Sequence, residues 1–93
     1  SITLDPDLIE AAQYNVFEKV LVVNINNGQR FETYIIEGEK GTGTVCLNGA
    51  AARLAVKGDK VIIMSFIQLA PDEINEFKPI QILVDEKNQI LRS

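Results

Sequence analysis

Short β-rich runs separated by strong turn signals constrain the fold of this chain most. The two longest runs are KVLVVNI (residues 19–25) and RFETYIIEG (residues 30–38), and shorter ones lie in GTGTVCLN, KGDKVIIMSF and IQILVDEKNQIL. Runs of this length that are rich in Val, Ile, Tyr and Phe and bounded by Gly, Asn or Pro indicate strands. We therefore predict a mainly β fold, a compact β-barrel with short helical insertions.

Local signals place the turns and helices between these strands. Asp5 followed by Pro6 predicts a helix start, because Asp is a good N-cap and proline suits the first helical position. GAAARLA and APDEINEF predict two further short helical segments. Asn27-Gly28 predicts a hairpin closed by a type I′ turn, and KGDKVIIMSF predicts a turn followed by a buried strand.

Length and composition indicate one small globular domain over residues 1–93. A chain of 93 residues is near the low end for a self-sufficient core, so a core shared within an oligomer would help it. No apolar run is long enough for a membrane span, and no signal sequence is recognisable at the front. One cysteine excludes an internal disulfide framework and fits a reducing compartment. We expect a cytoplasmic protein that binds no membrane.

The residue types present exclude several kinds of chemistry. The net charge is −4 and the basic residues are scattered, so we expect no nucleic-acid partner. With no histidine and one cysteine, the chain alone cannot build a histidine triad or a Cys/His zinc site, and we expect no metal. An enzyme of this composition would use a partner chain, a carboxylate, a Tyr or Lys, or a group made from its own backbone.

NNGQRFETY is the first segment that could carry chemistry. On a regular strand, Arg30, Glu32 and Tyr34 share one face and Thr33 lies on the other. A guanidinium and a phenol on one face could bind a carboxylate and deliver a proton. In the alternative interpretation, Arg30 pairs with a surface acid and Tyr34 covers the edge of the core.

VCLNGAAARLA is the second such segment. Its small residues Gly49, Ala50 and Ala51 would let a ligand approach the backbone after Asn48, and free N–H groups at a helix N-terminus favour an anion. The alternative is a tight turn and a closely packed helix. Cys46 alternates with two apolar neighbours, which predicts packing rather than a nucleophile.

Taken together, these segments resemble the large (α) chain of the pyruvoyl-dependent aspartate 1-decarboxylase family. The resemblance rests on Ser1 with Asp5 shortly after it, NNGQRFETY, VCLNGAAAR, Gly58-Asp59 and the PDE of residues 71–73. These elements lie in the family's order and spacing and span most of the chain. The serine at position 1 otherwise has three readings: an arbitrary boundary, a removed leader, or a cut that the chemistry requires.

The resemblance implies a self-made cofactor. In this family a precursor cuts itself at a Gly-Ser bond: the serine hydroxyl attacks the preceding carbonyl to give an ester, and elimination leaves a dehydroalanine. Hydrolysis of that residue yields a covalent pyruvoyl group, here derived from Ser1. The activity implied is decarboxylation of L-aspartate, through a Schiff base, to β-alanine and carbon dioxide for pantothenate synthesis.

The resemblance also assigns roles to individual residues. Ser1 and Tyr34 match the catalytic residues, the source of the pyruvoyl group and the proton donor. Arg30 matches the residue that holds a substrate carboxylate. The planar guanidinium of arginine suits this role better than the ammonium group of lysine. The other matches bind substrate or line its site, and they are Thr33, Asn48, Gly49, Ala50 and Ala51.

The implied architecture is a double-psi β-barrel with Gly58-Asp59 in its characteristic turn, completed by a separate short β chain from the same precursor. A homotetramer of αβ units is implied as well, with sites at subunit interfaces. Strand alternation points Thr33 away from Tyr34 and puts Arg30 about 13 Å from Tyr34 along the strand. The three can share a pocket only if the strand twists or bulges, or if the pocket lies between subunits.

Two other functions compete with this hypothesis. An N-terminal-nucleophile hydrolase also exposes a serine by self-cleavage but keeps its free amine as the base, and 93 residues are too few for its layered sandwich. A non-catalytic β-barrel interaction module would leave the coincidence of RFETY with NGAAA unexplained. Among the three, only the decarboxylase should carry a terminal ketone in place of an amine.

Overall fold

The computed structural model describes residues 1–92 and is mainly β, as predicted. In chain order its elements are β1 (Ile2–Leu4), α1 (Pro6–Ala12), β2 (Lys19–Asn24), β3 (Arg30–Glu37), β4 (Val45–Leu47), a first 3₁₀ helix (Gly49–Leu54), β5 (Val61–Met64), a second 3₁₀ helix (Pro71–Glu76), β6 (Leu83–Val84) and β7 (Ile90–Arg92). No helix within these residues is long and apolar enough to cross a membrane.

Helix α1 begins as its sequence predicts. The side chain of Asp5 caps it by accepting a hydrogen bond from the backbone N–H of Asp7 at 2.8 Å, and Pro6 occupies the first turn. Asp5 is buried and also accepts from the N–H groups of Gly41 (3.1 Å) and Gly43 (2.8 Å). These donors, that of Asp7 foremost, lower the pKa of Asp5. One carboxylate therefore ties the helix start to the loop before β4.

The main sheet has five strands in the order β4-β1-β3-β2-β5 and curls into half a barrel. Strand β1 is parallel to β3 and antiparallel to β4, so it lies between two strands that follow each other along the chain. This insertion of one strand between two connected antiparallel strands is a psi motif. The arrangement is consistent with the double-psi β-barrel that the sequence resemblance implies.

The predicted hairpin joins β2 to β3, but the predicted turn type is wrong. A type I′ turn needs positive φ at both Asn27 and Gly28, and only Gly28 has it (φ 76°). The loop is longer than a two-residue turn, as shown by the hydrogen bond from the N–H of Gly28 to the carbonyl of Asn24 at 2.9 Å. The side chain of Asn27 accepts from the N–H of Gln29 at 2.9 Å and so stabilises this wider loop.

A buried asparagine ties this hairpin to the Gly58-Asp59 turn. Asn24 is fully buried, and its Nδ2 donates to Oδ2 of Asp59 at 2.9 Å and to the carbonyl of Leu54 at 3.2 Å. The same carboxylate oxygen accepts from the N–H of Val56 at 3.0 Å. Both bonds, that from Asn24 foremost, lower the pKa of Asp59. This link fixes the C-terminal end of the first 3₁₀ helix.

The apolar core lies against one face of the sheet and is small. It consists of six buried aliphatic side chains from β1, α1, β2 and β3: Ile2, Leu4, Ile9, Val20, Val22 and Ile35. Strand β5, predicted to be buried, has an exposed Ile62, and its other residues are only half-buried. The prediction fails because residues 1–92 supply no layer that covers the outer side of this strand.

The C-terminal hairpin of β6 and β7 packs against the loop before β4. Nδ2 of Asn88 donates to the carbonyl of Gly43 at 2.8 Å. A Cβ at Gly43 would lie 2.2 Å from the carbonyl oxygen of Lys87, so only glycine fits this contact. The two strands predicted in IQILVDEKNQIL are thus present and anchored to the rest of the fold.

Candidate active site

Ser1 and Asn48 lie side by side because the β1–β4 ladder extends beyond its last strand residues. The backbone N–H of Asn48 donates to the carbonyl of Ser1 at 2.9 Å, and the amine of Ser1 lies 3.4 Å from the carbonyl of Asn48. Nδ2 of Asn48 also donates to Oγ of Ser1 at 3.0 Å. Two residues predicted for the site from separate segments are therefore in direct contact.

An open concavity of about 540 Å³ adjoins Ser1. Strand β3 pairs with β1 only from Ile35 onward, opposite Ile2, so the residues before Ile35 form an unpaired edge beside Ser1. The first 3₁₀ helix closes the other side. Residues from β1, β3, the end of β4 and this helix line the concavity: Ser1, Phe31, Glu32, Thr33, Tyr34, Asn48, Gly49, Ala50, Ala51 and Leu54.

The open edge explains how Thr33 and Tyr34 line one concavity from opposite faces of β3. The β2–β3 pairing runs without a shift from Lys19 opposite Tyr34 to Val23 opposite Arg30, so β3 has no bulge here. A side chain from either face can reach the edge where no neighbouring strand covers it. Tyr34 is 47% exposed and lines the concavity.

Arg30 is the one predicted site residue that does not line this concavity. It lies four residues before Tyr34 on an unbulged strand, about 13 Å away by strand rise, and its side chain is exposed. Within one chain, the described residues bring together Ser1, Thr33, Tyr34, Asn48 and the small residues after it, without the guanidinium.

The residues after Asn48 have small or no side chains, so this wall of the concavity lies close to the backbone. Gly49 has a positive φ of 62°, which starts the 3₁₀ helix immediately after the strand. Within this helix Ala50 is exposed, whereas Ala51 is buried. The side chain of Asn48 makes no cap to this helix, because it bonds to β1 instead.

The sequence did not predict three residues that line the concavity, nor the contacts of Asn48 with Thr3 and Cys46. Phe31 and Leu54 add apolar walls, and Glu32 adds a carboxylate. Glu32 pairs with Lys19 at 2.8 Å, and this contact raises the pKa of Lys19. Strand alternation in RFETY gave a signal for Glu32, since it places this residue on the face of Tyr34.

Cys46 does not pack as predicted. Its side chain is exposed, and its thiol lies 3.5 Å from Oδ1 of Asn48, a weak hydrogen bond. The apolar neighbours on either side of Cys46 point to the opposite face of β4, and alternation alone could not show that the face of Cys46 is open.

The acidic side chains of the described residues do not form a metal centre. No group of three or more His, Cys, Asp and Glu within residues 1–92 is placed to hold an ion. Asp5 and Asp7 lie near each other at the start of α1, but backbone N–H groups bond to the carboxylate of Asp5 and Lys40 pairs with that of Asp7.

Comparison with known proteins identifies the family. The profile described as "Aspartate decarboxylase" matches residues 1–91. The chain belongs to the aspartate decarboxylase family. It is 58% identical to the aspartate 1-decarboxylase of Caldicellulosiruptor bescii over 92 residues, which cover 99% of this chain and 72% of that protein. It is 59% identical to the aspartate 1-decarboxylase of Neisseria meningitidis over 90 residues, 97% of this chain and 71% of that protein.

A third relative gives the same result. The aspartate 1-decarboxylase of a Clostridium botulinum strain is 56% identical over 90 residues, 97% of this chain and 71% of that protein. The prediction of an enzyme of this family is therefore confirmed. The family match also decides against the two alternatives, a hydrolase and a non-catalytic module.

Proposed function

We propose that this chain catalyses pyruvoyl-dependent decarboxylation of L-aspartate to β-alanine and carbon dioxide, in the cytoplasm, for pantothenate synthesis. The pyruvoyl group would arise from Ser1 when a longer precursor cuts itself before this residue. Family membership supports the reaction class. The observation that carries the proposal is the contact of the Ser1 hydroxyl with Asn48 at the mouth of a concavity that Tyr34 also lines.

The surroundings of Ser1 fit a pyruvoyl group. The carbonyl of residue 1 is held by the N–H of Asn48, a bond that needs neither the amine nor the hydroxyl of the serine. A pyruvoyl group, in which a ketone oxygen replaces the amine and a methyl replaces the hydroxymethyl, would keep this anchor and would be no larger than the serine it replaces. Loss of the hydroxyl would leave Nδ2 of Asn48 free to donate to the ketone oxygen or to a bound substrate. A pyruvoyl group supplies an electrophilic ketone and a conjugated carbonyl that accepts the electrons released by decarboxylation.

The self-cleavage needs a hydroxyl that is accessible and oriented. The oxygen of Ser1 would attack the preceding carbonyl, the peptide bond would break to an ester, and elimination would release the upstream carboxylate. Water then converts the remaining dehydroalanine to the ketone with loss of ammonia. Nδ2 of Asn48 holds the hydroxyl at the concavity before the attack, and Thr33, on the same edge, would assist.

Tyr34 would deliver the proton that replaces the lost carboxylate. Its phenol is exposed on the unpaired edge of β3, within the concavity that contains Ser1. A positioned general acid of this kind accelerates a reaction by about 10²–10⁴-fold. The small residues Gly49, Ala50 and Ala51 would leave room for the substrate beside the backbone.

We further propose that the site is completed by a second αβ unit of a homotetramer and by the short β chain. Arg30 lies outside the concavity of its own chain, so the guanidinium that holds a substrate carboxylate would act across a subunit interface. The sheet also has two open edges, β4 and β5, that a strand of the β chain could pair with.

Exposed apolar side chains support this assembly. Phe66 is 78% exposed and Ile67 64%, and they belong to a large set in the C-terminal third of the chain. Monomeric proteins seldom expose so many large apolar side chains together. The set, all within the described residues, is Ile62, Phe66, Ile67, Ile74, Phe77, Ile80, Leu83, Val84, Ile90 and Leu91.

Intact-mass analysis of the purified full-length product tests the proposal. We expect two chains, the larger one lighter than the encoded sequence by one ammonia and reactive with carbonyl reagents. Incubation with L-aspartate should release carbon dioxide and β-alanine. Ser1→Ala should give one uncut, inactive chain, because the attacking hydroxyl is gone.

Ser65→Ala provides the matched control, since Ser65 is exposed and outside the concavity. This variant should cleave and turn over as the unmodified protein does. Two chains and β-alanine production from the Ser1→Ala precursor would refute the origin of the cofactor. A cleaved, ketone-bearing protein that leaves L-aspartate unchanged would refute the substrate.

A further inference from the structure

Each polar atom of the Asn48 carboxamide has a hydrogen-bond partner. Nδ2 donates to Oγ of Ser1 at 3.0 Å and to Oγ1 of Thr3 at 2.9 Å. Oδ1 accepts from the thiol of Cys46 at 3.5 Å. A primary amide has two N–H donors and one carbonyl oxygen, so these three neighbours fix its position and its orientation.

The register of β1 and β4 creates this cluster. Thr3 is paired with Cys46, and the ladder continues to Ser1 beside Asn48, so all four side chains lie on one face of the two strands. Residues directly opposite and diagonal to one another on such a face are within reach of each other. Asn48 therefore contacts Ser1 across the ladder and Thr3 along the diagonal.

The side chain of Thr3 is itself held in place. Its methyl group lies close to Gly38, where an added Cβ would be only 2.8 Å from Cγ2 of Thr3. A β-branched side chain has few χ1 choices on a strand, and the space over Gly38 receives its methyl group. The hydroxyl of Thr3 is thereby directed toward Asn48.

We propose that Thr3 is a positioning residue that acts through Asn48, supported more weakly by Cys46. Thr3 takes one N–H of the carboxamide, and the other then points at the hydroxyl of Ser1. Without Thr3, the amide could rotate about its terminal torsion, which is a broad one. The activity part of this inference rests on the proposed function, in which the N–H of Asn48 orients Ser1 for cleavage and later faces the group derived from it.

Two substitutions of Thr3 distinguish the effect of its hydroxyl from the effect of its branched shape. Thr3→Val keeps the branched side chain over Gly38 and a strong strand preference but removes the acceptor. In the full-length precursor we expect cleavage to slow about 3- to 10-fold, the effect of one lost neutral hydrogen bond. The mature enzyme should lose kcat by a similar factor with little change in KM. Thr3→Ser, which restores the hydroxyl, should recover most of both rates.

A double-mutant cycle tests whether Thr3 acts through Asn48. In the Asn48→Ala background, Thr3→Val should have little further effect on cleavage or kcat, because the group that it positions is absent. Thr42→Val is the matched control: Thr42 donates to the carbonyl of Glu39 in a loop outside the concavity. It should leave both rates unchanged. Cys46→Ala enters the same cycle, with a smaller expected loss because a thiol is a weak donor.

Hydrogen exchange of the Asn48 side-chain amide gives a readout that needs no activity. In the ¹⁵N-labelled, uncut Ser1→Ala precursor, Thr3→Val should speed this exchange and Thr3→Ser should restore it. Equal losses from Thr3→Val in both backgrounds, or unchanged amide exchange, would overturn the inference. If Thr3→Val does not fold, Thr3→Ala, compared with Thr3→Ser, supplies the same test of the hydroxyl. Normal turnover of L-aspartate with uncoupled Thr3 and Asn48 refutes only this inference, whereas no turnover by the unmodified enzyme refutes the proposed function.

Discussion

Replacing Asn24 with alanine should destabilise the enzyme and loosen one wall of the site. Asn24 is fully buried, and its Nδ2 bonds to the carbonyl of Leu54 and its Oδ1 to the N–H of Asn26. Each neutral hydrogen bond contributes about 1 kcal/mol net, so these two give a loss of about 2 kcal/mol. The bond to the carboxylate of Asp59 adds to that loss. Since Leu54 lines the concavity, KM for the substrate should rise as well.

Asn27→Ala is the matched control for this prediction. Asn27 donates to the same carbonyl of Leu54 at 3.0 Å, but its side chain is exposed and water can replace it. Urea unfolding of the mature protein, followed by circular dichroism at one fixed protein concentration, measures both variants. The midpoint should fall by more than about 1 M for Asn24→Ala, given an m-value near 2 kcal/mol/M, and much less for Asn27→Ala. Equal shifts would refute the argument that burial makes Asn24 the stronger link.

Three further predictions concern chemistry and pH. Tyr34→Phe should leave precursor cleavage intact and lower kcat about 10²–10⁴-fold with little change in KM, as steady-state kinetics will show; normal turnover would make Tyr34 a packing residue. Arg30→Lys should weaken use of L-aspartate and Arg30→Ala should weaken it more, with the circular dichroism spectrum unchanged; unaltered kinetics in the alanine variant would leave Arg30 a surface charge. Asp5 and Asp59 have lowered pKa values in the folded state, so the stability they contribute is present above their ordinary value of 3.8 and is lost as pH falls through the folded values. Acid unfolding of Asp59→Asn should show a weaker pH dependence than that of the unmodified enzyme, and an identical curve would contradict this assignment.

Local signals predicted the elements well, because their causes lie within a few residues. The N-cap at Asp5 and the alternation in RFETY are read directly from neighbouring side chains. The turn type predicted after Asn24 was wrong because residues distant in sequence hold this loop. Asn26 accepts from the N–H of Lys60, and Asn27 donates to the carbonyl of Leu54. No local pattern contains such contacts.

The site residues were predicted from the family resemblance. Their arrangement in space could not be predicted, because it depends on how the strands pair. SITL shows that Ser1 and Thr3 share a face, but nothing in it says that Asn48 lies opposite. The unpaired edge that lets Thr33 and Tyr34 face one concavity follows from where β1 begins to pair with β3. Arg30 stays apart because β3 has no bulge, a property of the ladder rather than of the residue.

The insertion of β1 between β3 and β4 also determines what a break in the backbone does. A strand at the edge of a sheet can peel away when the chain is cut beside it, since one ladder alone holds it. Residues Ile2–Leu4 are hydrogen-bonded on both sides, and Ile2 and Leu4 are buried. If the chain is cut before Ser1 as proposed, the cut would release no strand, and the new end would not fray as most chain ends do. The fold would tolerate the loss of that covalent connection because two neighbouring strands already enclose the segment that begins with Ser1.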